Sequence, residues 1–107
     1  MNMCVVSGKI VGDIENSQNG TMSCTKFNIQ NMRYKPTTST MEKTIIRCIS
    51  YGALADYINN ELYEGCNIVV TGNILNRRYY VSDTKSYIDR LYIGCSTVSR
   101  LDQEEYC

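Results

Sequence analysis

Two arginines stand directly before two tyrosines in NRRYY, the stretch at residues 76–80. An arginine guanidinium binds phosphate oxygens through its charge and its paired hydrogen bonds. A tyrosine ring can stack on a nucleobase of any kind. The stretch therefore suits a surface that binds single-stranded nucleic acid. It equally suits an ordinary exposed strand, because tyrosine favours strands and surface arginines are solvated, so other segments must decide between the two interpretations.

The four side chains of this stretch divide between two faces if the segment is a strand. Side chains alternate along a strand, so Arg77 shares one face with Tyr79, and Arg78 shares the other face with Tyr80. Whichever face meets a ligand carries one cation and one ring. The sequence leaves open which of the two faces that is.

Two other segments pair a cation with a ring. RYK at residues 33–35 ends the predicted second strand, and the predicted third strand places Arg47 and Tyr51 on one face among isoleucines. An arginine that extends to water from a sheet edge would give the same pattern without any ligand. Three such clusters nevertheless favour a nucleic-acid-binding surface.

Charge is unevenly distributed along this chain of 107 residues, whose formal net charge is zero. Residues 26–47 carry five basic residues and one acidic residue, whereas residues 53–64 and 102–107 each carry three acidic residues and no basic one. A basic face set against an acidic helix and an acidic tail gives a neutral chain a local positive field. The distribution gives modest support to a nucleic-acid partner.

Several other chemistries lack the residues that they need. The chain has no histidine, which excludes Ser–His and Cys–His nucleophiles, and it has no glycine-rich phosphate loop. Its six cysteines include no C-x-x-C pair and lie mostly in apolar runs, which is typical of small buried side chains in a reducing cytosol. These absences reduce the options for an enzyme, and we predict no catalytic residues, no metal and no cofactor.

The chain shows no signal for a membrane or for secretion. It has no run of about 18 apolar residues, and its N-terminus lacks the pattern of a signal peptide. We expect a cytoplasmic protein with no membrane contact. The length suits one domain, which we expect at residues 1–101, followed by a short acidic C-terminal tail at residues 102–107.

Strand patterns with internal or flanking glycines dominate the chain. The predicted strands span residues 3–12, 21–33, 44–51, 66–80 and 86–99. Between the third and the fourth, Leu54, Tyr57, Ile58 and Leu62 have the spacing of one helix face, and Gly65 follows as a cap. Five strands with one helix in that position predict an all-β fold, the five-stranded Greek-key barrel called the OB-fold.

Three segments of the chain together resemble the bacterial single-stranded DNA-binding protein family. MNMCVVSGKIVGD is similar to the opening strand of that family, and FNIQNMRYK is similar to its second strand and basic turn. IIRCISYGALADYINNELYEGCNIVVTGNILNRRYY is similar in order and spacing to its third strand, helix and fourth strand. The resemblance covers residues 1–101.

The resemblance implies an OB-fold that assembles as a homo-oligomer, with a tetramer favoured over a dimer. It implies a non-enzymatic protein that wraps single-stranded DNA without strong sequence preference in replication, recombination and repair. The stacking positions of the family fall on Tyr34, Tyr51 and Tyr79, and a fourth falls on Ile45, which cannot stack. The expected nucleic-acid-binding residues are Arg33, Tyr34, Lys35, Arg47, Tyr51, Arg77, Arg78, Tyr79 and Tyr80.

The chain also departs from the family pattern. It has no tryptophan, Glu64 stands where a basic residue is usual, and Ala53 stands where a lysine is frequent. The family usually continues into a long linker with an acidic tip that recruits replication proteins, whereas this sequence ends at LDQEEYC. We expect either a compact form from a phage, plasmid or conjugative element, or a shortened chain.

One alternative function belongs to a different class. The neutral charge, Ile45 and Glu64 would also suit an OB-fold adaptor, such as a primosome-type component that mainly binds replication proteins. A cold-shock-like RNA-binding module is less favoured, because the aromatic-rich strands of that class are absent from this sequence.

Overall fold

The structure is a computed structural model, and it describes residues 1–101. The predicted tail at residues 102–107 lies outside the described residues. The elements are β1 (Cys4–Asn19), β2 (Met22–Lys35), β3 (Thr40–Tyr51), α1 (Gly52–Glu61), β4 (Asn67–Val81) and β5 (Ser86–Arg100). The strands form a closed barrel in the order β1-β2-β3-β5-β4, with β3 and β5 parallel and the other pairs antiparallel. The OB-fold prediction is confirmed.

The strands are longer than their hydrophobic patterns predict. β1 leaves its ladder with β2 after Val11 and resumes pairing at Glu15, so most of the loop predicted at residues 13–20 is strand. Its side chains there are mostly polar and exposed, so no alternation of apolar residues marks them. β3 likewise begins at Thr40, because the turn after β2 occupies only residues 36–39.

The helix closes one end of the barrel. Ala55 and Ile58 of α1 are fully buried, and Leu62 packs beside them just after the helix ends. Tyr57 was predicted on the core face, but it is 38% exposed, so that prediction is wrong. α1 is ten residues long, and no helix in residues 1–101 is long and apolar enough to cross a membrane.

The barrel interior is apolar and includes thiols. Three of the five described cysteines, Cys24, Cys48 and Cys66, are buried, and Cys4 and Cys95 are half-buried. Cys48 and Cys95 lie on the neighbouring strands β3 and β5, and a hydrogen bond with Cys95 raises the pKa of the Cys48 thiol, as does burial. The prediction that most cysteines act as small core side chains is confirmed for these residues.

Two long hairpins extend from one end of the barrel. β3 pairs with β5 at only two positions, Cys48 with Ile93 and Ile49 with Gly94. Because these strands are parallel, their N-terminal halves leave the barrel at the same end. We call residues 30–45 the β2–β3 arm and residues 74–91 the β4–β5 arm.

Candidate nucleic-acid interface

The β2–β3 ladder carries cations and a ring on its outer face, which is the face turned away from the barrel core. Arg47 lies opposite Asn28, and Tyr51 lies opposite Cys24, with Lys26 between these two positions on β2. Residues that are directly opposite in an antiparallel pair, and every second residue along each strand, share a face. This register therefore places Lys26, Arg47 and Tyr51 on one surface.

The β4–β5 arm folds over that surface. The Arg77 guanidinium donates a hydrogen bond to the Tyr51 hydroxyl, and its central carbon lies 5.9 Å from the centre of the Tyr51 ring. On β2, the Lys26 ammonium lies 5.8 Å from the ring centre of Tyr79 and 5.9 Å from that of Tyr92. These contacts join the outer faces of β2, β3, β4 and β5 into one groove.

A small apolar cluster holds Tyr79 in this groove. Cys24, Ile49 and Tyr92 form its buried base, and the half-buried Leu75 and Tyr79 pack against them. The hydroxyl groups of Tyr79 and Tyr92 are 3.0 Å apart. This hydrogen bond lowers the pKa of Tyr79, and burial raises the pKa of Tyr92. The Tyr79 ring is therefore fixed at one edge by packing and by its hydroxyl.

Tyr34 lies on the same face but farther out, towards the tip of the β2–β3 arm. Tyr34 lies opposite Met41 on β3. It is six residues after Asn28 on β2, and because every second residue of a strand has the same face, both side chains are on the outer face. Its side chain is 56% exposed. Tyr34 therefore places an exposed ring at the far end of the outer face.

Arg33 and Lys35 occupy the opposite face of the β2–β3 arm. Both pair with Glu42, at 2.5 Å for Arg33 and 3.7 Å for Lys35. The Arg33 guanidinium lowers the pKa of the Glu42 carboxyl through this contact. The charge of these two cations is therefore partly neutralised, and neither side chain is in the groove.

Arg78 and Tyr80 occupy the opposite face of the β4–β5 arm. Arg78 pairs with Asp89 at 3.0 Å and lies 5.6 Å from the ring centre of Tyr87. Tyr80 makes an edge-to-face contact with Tyr87, with 5.2 Å between the ring centres. The NRRYY stretch is thus divided, with Arg77 and Tyr79 in the groove and Arg78 and Tyr80 behind it.

The two faces also differ in how their cations are neutralised. Lys26, Arg47 and Arg77 form no ion pair within residues 1–101, and Lys26 and Arg77 lie against tyrosine rings instead. A ring contact attracts a cation but leaves its net charge in place. Lys26, Arg47 and Arg77 are therefore free of the close ion pairs that partly neutralise Arg33, Lys35 and Arg78.

The single-strand binding protein family matches residues 1–101 of the chain. The chain belongs to this family. A comparison with curated proteins found no match. The family resemblance predicted from the sequence is confirmed.

Three residues of this groove were not predicted from the sequence. Lys26 lies in a segment whose apolar alternation slips in phase, which hid its face. Tyr92 lies in the last predicted strand and is not among the expected nucleic-acid-binding residues. Arg90 lies directly opposite Arg77 across the β4–β5 ladder. The period-2 spacing of Arg90 and Tyr92 was the available signal, but it gains meaning only when the pairing with β4 is known.

The structure shows the surroundings of two residues that depart from the family pattern, Glu64 and Ile45. Glu64 accepts a hydrogen bond of 3.1 Å from the backbone N–H of Gly12. Its carboxylate therefore fixes the irregular part of β1 rather than facing the groove. Ile45 is 52% exposed and lines a largely apolar cavity of about 340 Å³ where β3 and β5 separate.

Proposed function

We propose that the protein binds single-stranded DNA without strong sequence preference, by phosphate neutralisation and base stacking on the outer-face groove. One observation carries the proposal: within residues 1–101, Lys26, Arg47 and Arg77 form no ion pair, and Lys26 and Arg77 lie beside tyrosine rings. Lys26, Arg47 and Arg77 would bind phosphates, and Tyr51 and Tyr79 would stack on bases. Membership of the single-strand binding protein family supports this assignment.

The contacts in the free protein suggest how binding proceeds. The Arg77 guanidinium lies against Tyr51, and the Lys26 ammonium lies against Tyr79. Cation–ring contacts at exposed sites are worth about 0.5–1 kcal/mol, which is less than charge-assisted hydrogen bonds with a phosphate provide. A bound strand would therefore draw the cations onto its phosphates and expose the rings to its bases. A duplex could make only the first of these contacts, because its base faces are already stacked.

The proposal is tested by fluorescence-anisotropy titration of a labelled dT oligonucleotide at low and moderate salt, with duplex DNA of equal length as competitor. We expect tight binding that weakens with salt and that duplex does not displace. Binding no tighter than the non-specific range, with Kd of about 10⁻⁴–10⁻⁶ M at physiological salt, or equal preference for duplex, would contradict the proposal.

Substitution of the neighbouring arginines distinguishes the two faces. Arg77→Gln should weaken binding to dT and reduce the slope of log K against log salt concentration by about 0.7, the value expected for one lost phosphate contact on a single strand. Arg78→Gln removes the same charge from the opposite face, where Asp89 already pairs with it. Its slope should stay close to that of the unsubstituted protein. Equal slopes for the two variants would remove Arg77 from the interface.

We also propose that the chain acts in replication, recombination and repair as a homo-oligomer, with a tetramer favoured over a dimer. Family membership supports a non-enzymatic binding role, and the exposed apolar residues Met3 and Val5 on or beside β1 suit contact between subunits. We assign binding to the domain at residues 1–101, which leaves the short acidic tail at residues 102–107 outside the binding domain. Analytical ultracentrifugation of the protein, with and without oligonucleotide, measures the oligomeric state.

One observation favours the alternative of an OB-fold adaptor for replication proteins. The cavity of about 340 Å³ where the strands separate is bordered by Ile45, Ile74 and Leu91, all largely exposed. An exposed apolar surface of this kind suits a protein partner. Weak binding to every oligonucleotide in the titration, together with tight binding to a replication protein, would favour this function over the first.

A further inference from the structure

A second, polar cavity lies at the β1 side of the groove. Its volume is about 170 Å³, which is room for one pyrimidine base. Five of its lining side chains bear charge or an amide: Asp13 and Glu15 on β1, Lys26 and Asn28 on β2, and Arg47 on β3. Lys26 and Arg47 are also phosphate-binding cations of the proposed groove. Because an ammonium has three N–H donors and a guanidinium has five, each can contact a phosphate and a base edge together, so a strand held there would bring its bases to this cavity.

The irregular part of β1 places the two carboxylates. The ladder between β1 and β2 is interrupted from Val11 to Glu15, where Gly12 has a φ of 75°. The Gly12 N–H donates a hydrogen bond of 3.1 Å to the Glu64 carboxylate. A bulge of this kind re-aims the side chains that follow it, and here Asp13 and Glu15 both line the cavity.

The polar groups are ordered across the three strands. Carboxylate acceptors lie on β1, an ammonium donor and an amide lie on β2, and a guanidinium donor lies on β3. Unpaired cytosine presents an amine donor at N4 followed by acceptors at N3 and O2, which complements this order. Thymine presents an acceptor at O4 in place of the amine, and that oxygen would meet a carboxylate. Asp and Glu are established acceptors for cytosine N4.

We infer that this cavity reads the Watson–Crick edge of an unpaired base that bears an exocyclic amine, and that it favours cytosine over thymine. The inference rests on the proposed single-strand binding function and adds a base preference to it. Single-stranded nucleic acids are commonly read at this edge because it is free of a pairing partner. A protein that binds any strand by stacking and charge would thus hold cytosine-containing strands longer.

Another role for the carboxylates makes a different prediction. Asp13 and Glu15 could act only by repelling phosphates, which would weaken binding of every strand equally. The two roles are separated by comparing dT with 5-methyl-dC oligonucleotides of equal length, since both bases then carry the methyl group. Titrations at mildly alkaline pH keep cytosine unprotonated.

The variants are Asp13→Ala with Glu15→Ala, and a matched control, Asp56→Ala with Glu61→Ala. The control residues are exposed on α1 and do not line the cavity. Their substitution removes the same charge as the cavity variant does. We expect the unsubstituted protein and the control to bind 5-methyl-dC about fivefold or more tightly than dT, the discrimination typical of one good polar contact to a base edge. The cavity variant should lose this preference.

Two results would overturn the inference. One is equal affinity of the unsubstituted protein for the two oligonucleotides. The other is a cavity variant that binds both more tightly and keeps their ratio, which would make the carboxylates purely repulsive. Failure to bind either oligonucleotide is a separate outcome, because it would remove the proposed function together with the base preference.

Discussion

Replacing Tyr79 with alanine should weaken binding to single-stranded dT by about 1–3 kcal/mol, or about 5- to 150-fold in Kd, because one base loses its stacking partner. The same substitution at Tyr80 should change Kd little. Tyr79 packs on the cluster of Cys24, Ile49 and Tyr92 in the groove, whereas Tyr80 contacts Tyr87 on the opposite face. Fluorescence anisotropy at one salt concentration measures both variants.

Two controls make this comparison specific. Tyr79→Phe keeps the ring and removes only the hydroxyl that meets Tyr92 at 3.0 Å, so it should retain most of the affinity. Circular dichroism and thermal melting of each variant show whether the barrel is intact. If Tyr79→Ala and Tyr80→Ala lose affinity equally while both remain folded, the groove is not the binding surface and the division of NRRYY between faces has no functional meaning.

The sequence predicts that the four side chains of NRRYY divide between two faces, but it does not predict which face lies in the groove. Strand periodicity alone pairs Arg77 with Tyr79 and Arg78 with Tyr80. Which pair faces the ligand depends on how the β4–β5 arm folds against β3, and that contact joins residues 26 positions apart. Local patterns carry no information about contacts over that distance, so the choice of face required the closed barrel.

The ion pairs on the opposite face were hidden for a related reason. Glu42 neutralises Arg33 and Lys35 because β2 and β3 are joined by a turn at residues 36–39 and pair in register immediately after it. The polar composition of residues 34–43 predicts a longer loop there, without cross-strand partners. A change in the bounds of a hairpin thus changes which cations are left without a carboxylate partner.

The fold itself was predictable because strong local signals in the sequence mark the order of its strands and its helix. Strand patterns, the helical spacing of Leu54, Ile58 and Leu62, and the internal glycines agree with one architecture. The polar second half of β1 was not predictable, since its pairing with β2 is held by backbone hydrogen bonds and not by an apolar face. Gly72 lies inside the predicted strand at residues 66–80, and the structure supplies the reason for a glycine there.

β4 and β5 are in close backbone contact at Gly72. A Cβ atom there would overlap the backbone carbonyl of Gly94, and the Cα of Cys95 lies 3.1 Å from the same point. Backbone atoms cannot rotate away as a side chain can, so Gly72→Ala must separate the two strands beside a register irregularity. We expect a loss of about 3 kcal/mol in the free energy of unfolding, measured by urea denaturation followed by circular dichroism.

Gly94→Ala is the matched control for this effect. Its Cβ would come within 2.6 Å of Cδ2 of Leu75, which is the end of a flexible side chain and can change rotamer. The loss of stability should therefore be about 1 kcal/mol or less. A Gly72→Ala variant as stable as Gly94→Ala would show that the strands can part without cost. A larger loss at Gly72 would mean that the backbone contact between β4 and β5 keeps the barrel closed. This contact matters because β3 and β5 pair at only two positions, so the groove depends on the β4–β5 ladder for its shape.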